Sequence, residues 1–349
     1  MRTRMSRLAA WSLLAAVLMC PALLTTSAHF RIAAGGGGDA AVSASDVSWS
    51  VDRIGAPVAW QRTKGSTEIV VAVIDSGISR NASQLAGKLW VNRDEIPDNG
   101  IDDDDNGYVD DIHGWDFRDG DPGSDVGSPI HWHGTFVAGI VAAAPDAEAV
   151  GGVAPGVRIM DVRFLDSRNL FYGRDWNRFA QAVDYAVDNG ARIINLSIYA
   201  NGRPPASVEA ALVRAQRSGV IVVGIAGNNS KAEVSYPGKL TSVLAVTATS
   251  QCDELALFSN YGPEVAAAAP GVSIVSIDPA GQRKEASGTS FAAPHVAATL
   301  ALILSADPSL GAEEAIAQLV DACSDLGECG CDPRYGAGLI QAGEAVTGL

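Results

Sequence analysis

The chain has 349 residues, of which 47% are hydrophobic and 19% are charged, so its length and composition suffice for a large hydrophobic core. Acidic residues outnumber Lys and Arg by 40 to 25, which gives a net charge of −15 at pH 7. Because an acidic surface repels nucleic acid phosphates, we expect no nucleic acid partner, and calcium is the better candidate for a bound ion.

The N-terminus has the features of a secretory signal. MRTRMSR carries three arginines and no acid, and the apolar run that follows it, LAAWSLLAAVLM, is too short to span a bilayer comfortably. Small residues at positions 26–28 predict cleavage after Ala28, so residues 1–28 are interpreted as a signal peptide and the mature chain begins near His29. No later run reaches the roughly 18 apolar residues that a transmembrane helix needs. We therefore expect a secreted protein without a membrane anchor once the signal is cleaved.

The chain that follows the signal divides into two parts. Residues 29–48 include AAGGGGDAA and form a short Gly-rich segment. Residues 49–349 contain neither an internal repeat nor a second linker, so one domain over this range is the simplest interpretation. We expect the protein to be a monomer.

Four cysteines follow the signal peptide, at positions 252, 323, 329 and 331. An even number of cysteines in an oxidising compartment predicts at least one disulfide. Cys323 joined to either Cys329 or Cys331 would close a short loop within CSDLGECGC.

Five segments are nearly continuously apolar and rich in Val and Ile, which is typical of strands that are covered on both faces. They are residues 68–77, 157–166, 192–198, 220–227 and 242–250. Helix-length segments lie between them, including HGTFVAGIVAAA, RFAQAVDYAVDNG and PASVEAALVRAQRSG, and the last two end on a Gly suited to a helix C-cap. The alternation predicts an α/β fold with three layers, in which helices cover both faces of a mainly parallel sheet.

Three residues at the ends of these elements have the chemistry of a nucleophilic triad. Asp75 ends AVIDSG, His133 opens HGTFVAGIVAA, and Ser290 opens the helix in SGTSFAAPHVAA. A serine hydroxyl needs a base within hydrogen-bond reach, and the imidazole needs a carboxylate to fix its tautomer and stabilise its cation. Each residue also has an ordinary structural interpretation, since Asp often ends a strand at a turn and Ser often caps a helix.

In this chain order, the blocks DSG, HGTxVAG and GTSxAAPHVA resemble the three catalytic blocks of the subtilase (subtilisin-like) family. The resemblance includes IINLS, VVGIAGNN and FSNYG and runs from about Trp49 to the C-terminus. It implies a subtilisin-like fold and a serine endopeptidase that hydrolyses protein or peptide substrates through an acyl-enzyme, with no cofactor for the chemistry. It also implies that Asp75 orients the imidazole, His133 acts as general base and then acid, Ser290 attacks the carbonyl, and Asn228 donates to the oxyanion.

Two other histidines are interpreted differently. His131 lies two residues before His133 but precedes the Gly-Thr signature, so His133 is the better candidate for the base. His295 follows Pro294 in an apolar helix, where we expect a packed and hydrogen-bonded core histidine.

The residues that match the family's primary specificity pocket carry no charge. They are Ser197, Ile198, Tyr199, Ile225, Ala226, Gly227, Asn229 and Ser235. An apolar P1 residue, the one before the cleaved bond, is therefore expected, and a basic one is disfavoured because it would lose water without gaining a carboxylate. The family usually reads Ser-Leu-Gly-Gly where this chain has Ser-Ile-Tyr-Ala. Tyr199 is expected to narrow the slot, or to turn outward over a neighbouring subsite.

The segment DNGIDDDDNGYVDD, residues 98–111, is a candidate calcium loop. Oxygen ligands at short spacing around Gly107 suit structural Ca²⁺. The candidate ligands are Asp102, Asp104, Asn106, Tyr108, Asp110 and Asp111. His113 stands where an EF-hand has its bidentate Glu, and a solvated acidic loop is the alternative. Similar acidic insertions occur between the Asp and His blocks of some bacterial subtilases, which supports the calcium interpretation.

The chain departs from many secreted subtilases at its N-terminus. Those proteins carry a folding and inhibitory propeptide, whereas only residues 29–48 precede WSVDRIGAPVAW here. Either folding does not need a propeptide, or a separate chain supplies the folding help or the inhibition.

Two other functions compete with a protease. An esterase or lipase of the α/β-hydrolase class uses the chain order Ser, acid, His, whereas the order here is Asp, His, Ser, and GTSFA lacks the second Gly of the nucleophile elbow. The other alternative is a calcium-stabilised binding protein on a catalytically inactive subtilase scaffold. The occupation of every catalytic position counts against it.

Overall fold

The structure is a computed structural model that describes residues 48–124, 126–145 and 151–348. The predicted signal peptide at 1–28 and the Gly-rich segment at 29–48, apart from Ser48, lie outside the described residues.

Seven strands form one sheet in the order β2-β3-β1-β4-β5-β6-β7, and every neighbouring pair is parallel. They are β1 (Val70–Asp75), β2 (Gly114–Asp116), β3 (Arg158–Arg163), β4 (Ile193–Leu196), β5 (Ile221–Ile225), β6 (Leu244–Thr249) and β7 (Val265–Pro270). Strands β8 (Ile274–Ile277) and β9 (Arg283–Ala286) form a separate antiparallel pair. All five strands predicted from the apolar runs are therefore confirmed.

Three of the strands are not evident in the hydrophobic pattern. Strand β2 has only three residues, β7 is dominated by alanine, which has low strand propensity, and β9 carries Arg, Lys and Glu. These strands form through pairing with a neighbour and not through an apolar signal of their own.

Helices cover both faces of the sheet. They are α1 (Trp49–Arg53), α2 (Ala56–Ala59), α3 (Trp132–Ala142), α4 (Trp176–Asp188), α5 (Ala206–Arg217), α6 (Thr289–Ala306), α7 (Ala312–Asp321) and α8 (Ala342–Thr347), with short 3₁₀ turns at Ser83–Leu85 and Gly173–Asp175. Successive residues of β1 point to opposite faces: Val71 and Val73 pack with α3 and α6, whereas Ala72 and Ile74 pack with α4 and α5. The predicted three-layer α/β fold is confirmed.

Helix α6 is long and apolar enough to cross a membrane by length and composition, and it is the one such helix in the described part of the chain. However, 89% of it is buried within the protein, packed against the sheet. Its apolar character is that of a core helix.

The parallel sheet brings three polar segments to one edge. Asp75 is the last residue of β1, Ser197 follows the end of β4, and Asn228 lies three residues beyond the end of β5. Because β1, β4 and β5 are adjacent and parallel, their carboxyl ends meet at this edge, where ligands bind in open α/β sheets.

Candidate active site

A buried carboxylate holds the imidazole of His133. Asp75 is fully buried and its Oδ1 and Oδ2 lie 2.8 and 3.0 Å from Nδ1 of His133, which is 6% exposed. Oδ1 of Asp75 also accepts a hydrogen bond from the backbone N–H of Ser76 (2.7 Å). Since the ionised carboxylate can only accept, the imidazole carries its proton on Nδ1 and leaves Nε2 available as a base.

Ser290 lies in the first turn of α6 and shares the cleft with His133. Among the described residues, its hydroxyl donates to the carbonyl oxygen of Ser197 (3.3 Å) and not to the imidazole. The hydroxyl of Ser197 in turn donates to the carbonyl oxygen of Ser290 (2.7 Å) and accepts from Nδ2 of Asn195 (2.9 Å). These buried contacts hold the backbone at Ser290.

The side chain of Asn228 is oriented by the residue before Ser290. Its Oδ1 accepts hydrogen bonds from the backbone N–H (2.9 Å) and the hydroxyl (2.8 Å) of Thr289. Both contacts need an acceptor, so the amide nitrogen is the atom left to face the cleft. An N–H donor fixed beside a nucleophilic serine is the arrangement that stabilises a developing oxyanion.

The cleft has a volume of about 590 Å³. It is lined by Trp132, His133, Leu165, Asn169, Leu170, Phe171, Ser197, Ile198, Tyr199, Asn228, Ala286, Ser287, Gly288, Ser290 and Phe291. A hydroxyl nucleophile, an imidazole held by a carboxylate and an amide donor therefore meet in one apolar-walled cleft. This set of groups supports nucleophilic acyl transfer.

Comparisons with known proteins agree with this chemistry. The sequence model of the subtilase family matches residues 66–338. The chain is 33% identical over 306 residues to "Subtilisin BL" of Lederbergia lenta, a match that covers 87% of this chain and 100% of that protein. The chain belongs to the subtilase family. It is a serine-type endopeptidase.

Two further relatives extend the match. The subtilase is 37% identical over 291 residues to "Thermophilic serine proteinase" of Bacillus sp. (strain AK1), covering 83% of this chain and 64% of that protein. It is 33% identical over 304 residues to "Alkaline protease" of Shouchella clausii, covering 87% of this chain and 70% of that protein. The chain thus spans somewhat less than two thirds of the length of the Bacillus relative.

The residues predicted for the P1 pocket fall into two groups in this subtilase. Ser197, Ile198 and Tyr199 line the cleft. The other five are not part of its wall, and they are Ile225, Ala226, Gly227, Asn229 and Ser235. Ile225 and Ala226 are fully buried because their side chains pack into the core under the edge of the sheet.

The other two histidines have separate environments. The Nδ1 atom of His131 accepts from the backbone N–H of His133 (3.3 Å) at the start of α3, so His131 caps the helix that carries His133. His295 is fully buried in α6, with Nδ1 2.6 Å from the carbonyl oxygen of Phe291, and burial lowers its pKa to about 4. Its environment is that of a neutral core histidine.

The acidic loop of this subtilase gathers three carboxylates. Oxygens of Glu95, Asp104 and Asp111 lie within 4.8 Å of one another, with Glu95 and Asp111 buried. Burial raises the pKa of Asp111 to about 6, although hydrogen bonds from Tyr185 (2.6 Å) and Asn92 (2.7 Å) act in the opposite direction. Three converging carboxylates, two of them buried, are a set of ligands that could hold a hard cation.

The remaining predicted ligands of that loop make other contacts within the described residues. Asp102 accepts from the backbone N–H groups of Asn106 (3.0 Å) and Gly107 (2.8 Å), and Asp110 accepts from those of residues 99 and 100. The ring of Tyr108 packs edge-on against Tyr185 at 4.9 Å between centroids. These contacts shape the loop and anchor it to α4.

A second acidic group was not predicted. Asp116, Asp119 and Asp121 also bring oxygens within 4.8 Å of one another and could hold a metal ion. The fully buried guanidinium of Arg163 lies 2.8 Å from Asp116 and donates to the backbone oxygen (2.9 Å) and hydroxyl (2.7 Å) of Ser128. Part of the negative charge of this second group is therefore neutralised from within the protein.

The disulfide predicted for CSDLGECGC is not formed. Cys323, Cys329 and Cys331 are thiols in the structure. The sulfur of Cys323 contacts the carbonyl oxygen of Leu319 (3.3 Å), and burial raises its pKa to about 12. Cys329 and Cys331 are exposed in the following turn. The side chain of Cys323 is thus directed toward the last turns of α7.

The sequence analysis did not predict several residues of the site. Thr289 had a usable signal, since it directly precedes Ser290 in the GTS block. Glu95 lies outside the acidic run, so only the fold brings it to Asp104 and Asp111. No local sequence signal marks Trp132 or Phe291, whose position beside His133 depends on the packing of α3 against α6.

Proposed function

We propose that Asp75, His133 and Ser290 are the catalytic triad of this endopeptidase and that Asn228 is its oxyanion donor. The hydrogen bond of 2.8 Å between Asp75 and His133, beside Ser290 in one cleft, is the observation that carries the proposal. Nε2 of His133 takes the proton of Ser290 as Oγ attacks the scissile carbonyl carbon, and the amide of Asn228 donates to the oxyanion.

The second half of the reaction reverses these roles. The imidazolium of His133, stabilised by Asp75, gives its proton to the leaving nitrogen as the peptide bond breaks. Water then attacks the acyl group on Ser290, with His133 again as the base. No cofactor takes part in these steps. Hydrolysis of casein that is abolished by a serine-directed sulfonyl fluoride is the first test, and hydrolysis that persists with the reagent would contradict it.

The substrate is proposed to be a protein or peptide with an apolar P1 residue. Ser197, Ile198 and Tyr199 form an uncharged wall near Ser290, and the ring of Tyr199 is partly buried against the core. A ring of this size occupies space that a large P1 side chain needs. Leu or Met at P1 should therefore match or exceed Phe.

Replacing Tyr199 with Gly should raise kcat/KM for Phe at P1 more than for Leu, because the ring no longer fills the slot. The change in the Phe to Leu ratio is expected to be about 10-fold, since each buried methylene discriminates by about 1 to 3 kcal/mol. Peptide nitroanilides that differ only at P1 measure this ratio. A ratio that stays constant, or a preference for Arg or Lys, would contradict the pocket.

Calcium is proposed to stabilise the loop that contains Glu95, Asp104 and Asp111, at a distance from the chemistry. Without an ion, a pKa of about 6 at Asp111 favours the protonated carboxyl of the folded state. As the pH rises from about 4 to about 6, the unfolded state loses this proton more readily than the folded state does. The free energy of unfolding therefore falls, by about 3 kcal/mol at pH 7. A bound Ca²⁺ would offset this loss, because it binds the carboxylate form.

Removing calcium with EDTA at pH 7.5 should lower the Tm by about 5 °C, since a ligand that binds only the folded state adds to stability. The shift should be smaller at pH 5, where Asp111 is largely protonated without the ion. The variant Asp111→Asn should respond little to the chelator, which separates this loop from the group at Asp116. Equal Tm values with and without EDTA at pH 7.5 would leave the loop as a solvated acidic segment.

The subtilase is proposed to act outside the cytoplasm as a monomer, with residues 1–28 as its signal peptide and residues 49–349 as its peptidase domain. The charge pattern of MRTRMSR and the apolar run after it support export. A separate folding helper or inhibitor remains part of the proposal. N-terminal sequencing of the exported protein tests the cleavage site, and a first residue far from His29 would contradict it.

A further inference from the structure

Two walls flank Ser290, and they serve different halves of the substrate if the proposed triad is correct. Ser197–Tyr199 lie on the side of the acyl group. The proton of His133 goes to the leaving nitrogen, so the chain beyond the cleaved bond lies past His133 and away from that wall. The cleft residues beside His133 are Trp132 and Phe291, whose ring centroids lie 5.9 and 5.5 Å from that of His133, and together with residues 286–288 they form the second wall.

Aromatic packing fixes the second wall. The ring centroid of Phe291 lies 5.5 Å from that of His133 and 4.6 Å from that of Phe136. Trp132 packs edge-on against Phe136 (5.5 Å) and lies 6.2 Å from Phe291. Rings held from both α3 and α6 make a rigid apolar surface beside the base.

A cation is placed on this wall. The ammonium of Lys284 lies 4.5 Å from the centroid of the Trp132 ring, within cation–π range. Lys284 and Ala286 share the less exposed face of β9, whereas Arg283 and Glu285 point to solvent. Among the residues that the structure describes, no carboxylate lies within salt-bridge distance of the ammonium of Lys284.

The carboxylates near this wall are paired with other side chains. Burial lowers the pKa of His131, and the charges of His133 and Lys284 lower it further. Two carboxylates act in the opposite direction on His131: Asp75, which is hydrogen-bonded to His133 at 2.8 Å, and Asp166, which is paired with Arg168 at 3.2 Å. A positive charge therefore lies against Trp132, a residue of the cleft, in a protein whose net charge is −15.

We propose that Lys284, held over Trp132, gives this subtilase a preference for Asp or Glu within the first two residues after the cleaved bond. This inference rests on the proposed catalytic residues, because they define which side of the cleft receives the leaving group. A partly exposed ion pair of this kind corresponds to a preference of about two- to fivefold for Glu over Gln. It should shrink toward unity in about 1 M NaCl, where the Debye length is about 3 Å.

The test uses fluorogenic peptides that are identical through a P1 Leu and carry Glu, Gln or Lys at the first or second position after the cleaved bond. For the unmodified protein, kcat/KM for the Glu peptide divided by kcat/KM for the Lys peptide should exceed unity. This ratio should fall below unity in Lys284→Glu and stay above unity in Lys284→Arg. The matched control is Arg283→Glu, which makes the same charge change on the exposed face of β9 and should keep the ratio.

Three results would overturn the assignment of Lys284. They are an unchanged ratio in Lys284→Glu, an equal change in Arg283→Glu, and a ratio in the unmodified protein that does not respond to salt. The salt series uses the unmodified protein, so its result is valid even if a variant folds poorly. A P1-Leu nitroanilide, which has no residue beyond the cleaved bond, separates the two proposals. Failure to cleave it contradicts the triad, whereas cleavage with an unchanged peptide ratio contradicts only Lys284.

Discussion

Replacing Ser290 with Ala should lower kcat for peptide hydrolysis by about 10⁶-fold, the size of effect known for the nucleophile of subtilisin itself. The hydroxyl is the attacking group, and among the described residues it makes one hydrogen bond, a long one of 3.3 Å to Ser197. Its loss should therefore change the Tm by less than about 2 °C. Initial rates with a peptide nitroanilide and a thermal melt measure the two quantities.

The matched control for this variant is Ser309→Ala, which removes an exposed hydroxyl far from the cleft and should keep full activity. Retention of activity by Ser290→Ala would show that another group is the nucleophile. A fall in activity accompanied by unfolding in Ser290→Ala would instead show that the residue is structural.

Replacing Asn228 with Ala should lower kcat by about 10²- to 10³-fold with little change in KM. This magnitude is the one known for the corresponding donor of subtilisin. The effect falls on kcat because the amide donates to charge that exists only in the transition state. Steady-state kinetics over a range of peptide concentrations separates the two constants.

A second variant tests how the amide is held. Thr289→Val removes the hydroxyl that donates to Oδ1 of Asn228 at 2.8 Å but keeps the backbone N–H that donates at 2.9 Å. The amide keeps one of its two anchors, so kcat should fall by less than in Asn228→Ala. A pure KM effect in Asn228→Ala would place that side chain outside the oxyanion site.

The sheet and the residues at its edge could be predicted because each has a local signal. The apolar runs around β1 and β5 are long enough to read as buried strands, and Asp75 and Asn228 follow directly from where those runs end. His133 and Ser290 each open a helix within a distinctive block. The alternation of strands and helices then predicts that these ends meet at one edge.

The rest of the site depends on contacts that no local pattern contains. Glu95 joins Asp104 and Asp111 only because the loop folds back on itself. Lys284 lies in a charged strand that has no apolar period and reaches Trp132 through the pairing of β8 with β9. Cysteine counting predicted a disulfide, but a count does not contain the directions of the side chains, and Cys323 contacts Leu319 of α7.

The most direct test of the central claim is to label the purified protein with a fluorophosphonate and map the adduct by peptide mass spectrometry while following casein hydrolysis. We expect one equivalent of label per protein molecule, located on Ser290, and a loss of casein hydrolysis in proportion to labelling. The variant Ser290→Ala should take up no label. Label on a different residue, or hydrolysis that persists in the fully labelled protein, would contradict the assignment of Ser290 as the nucleophile.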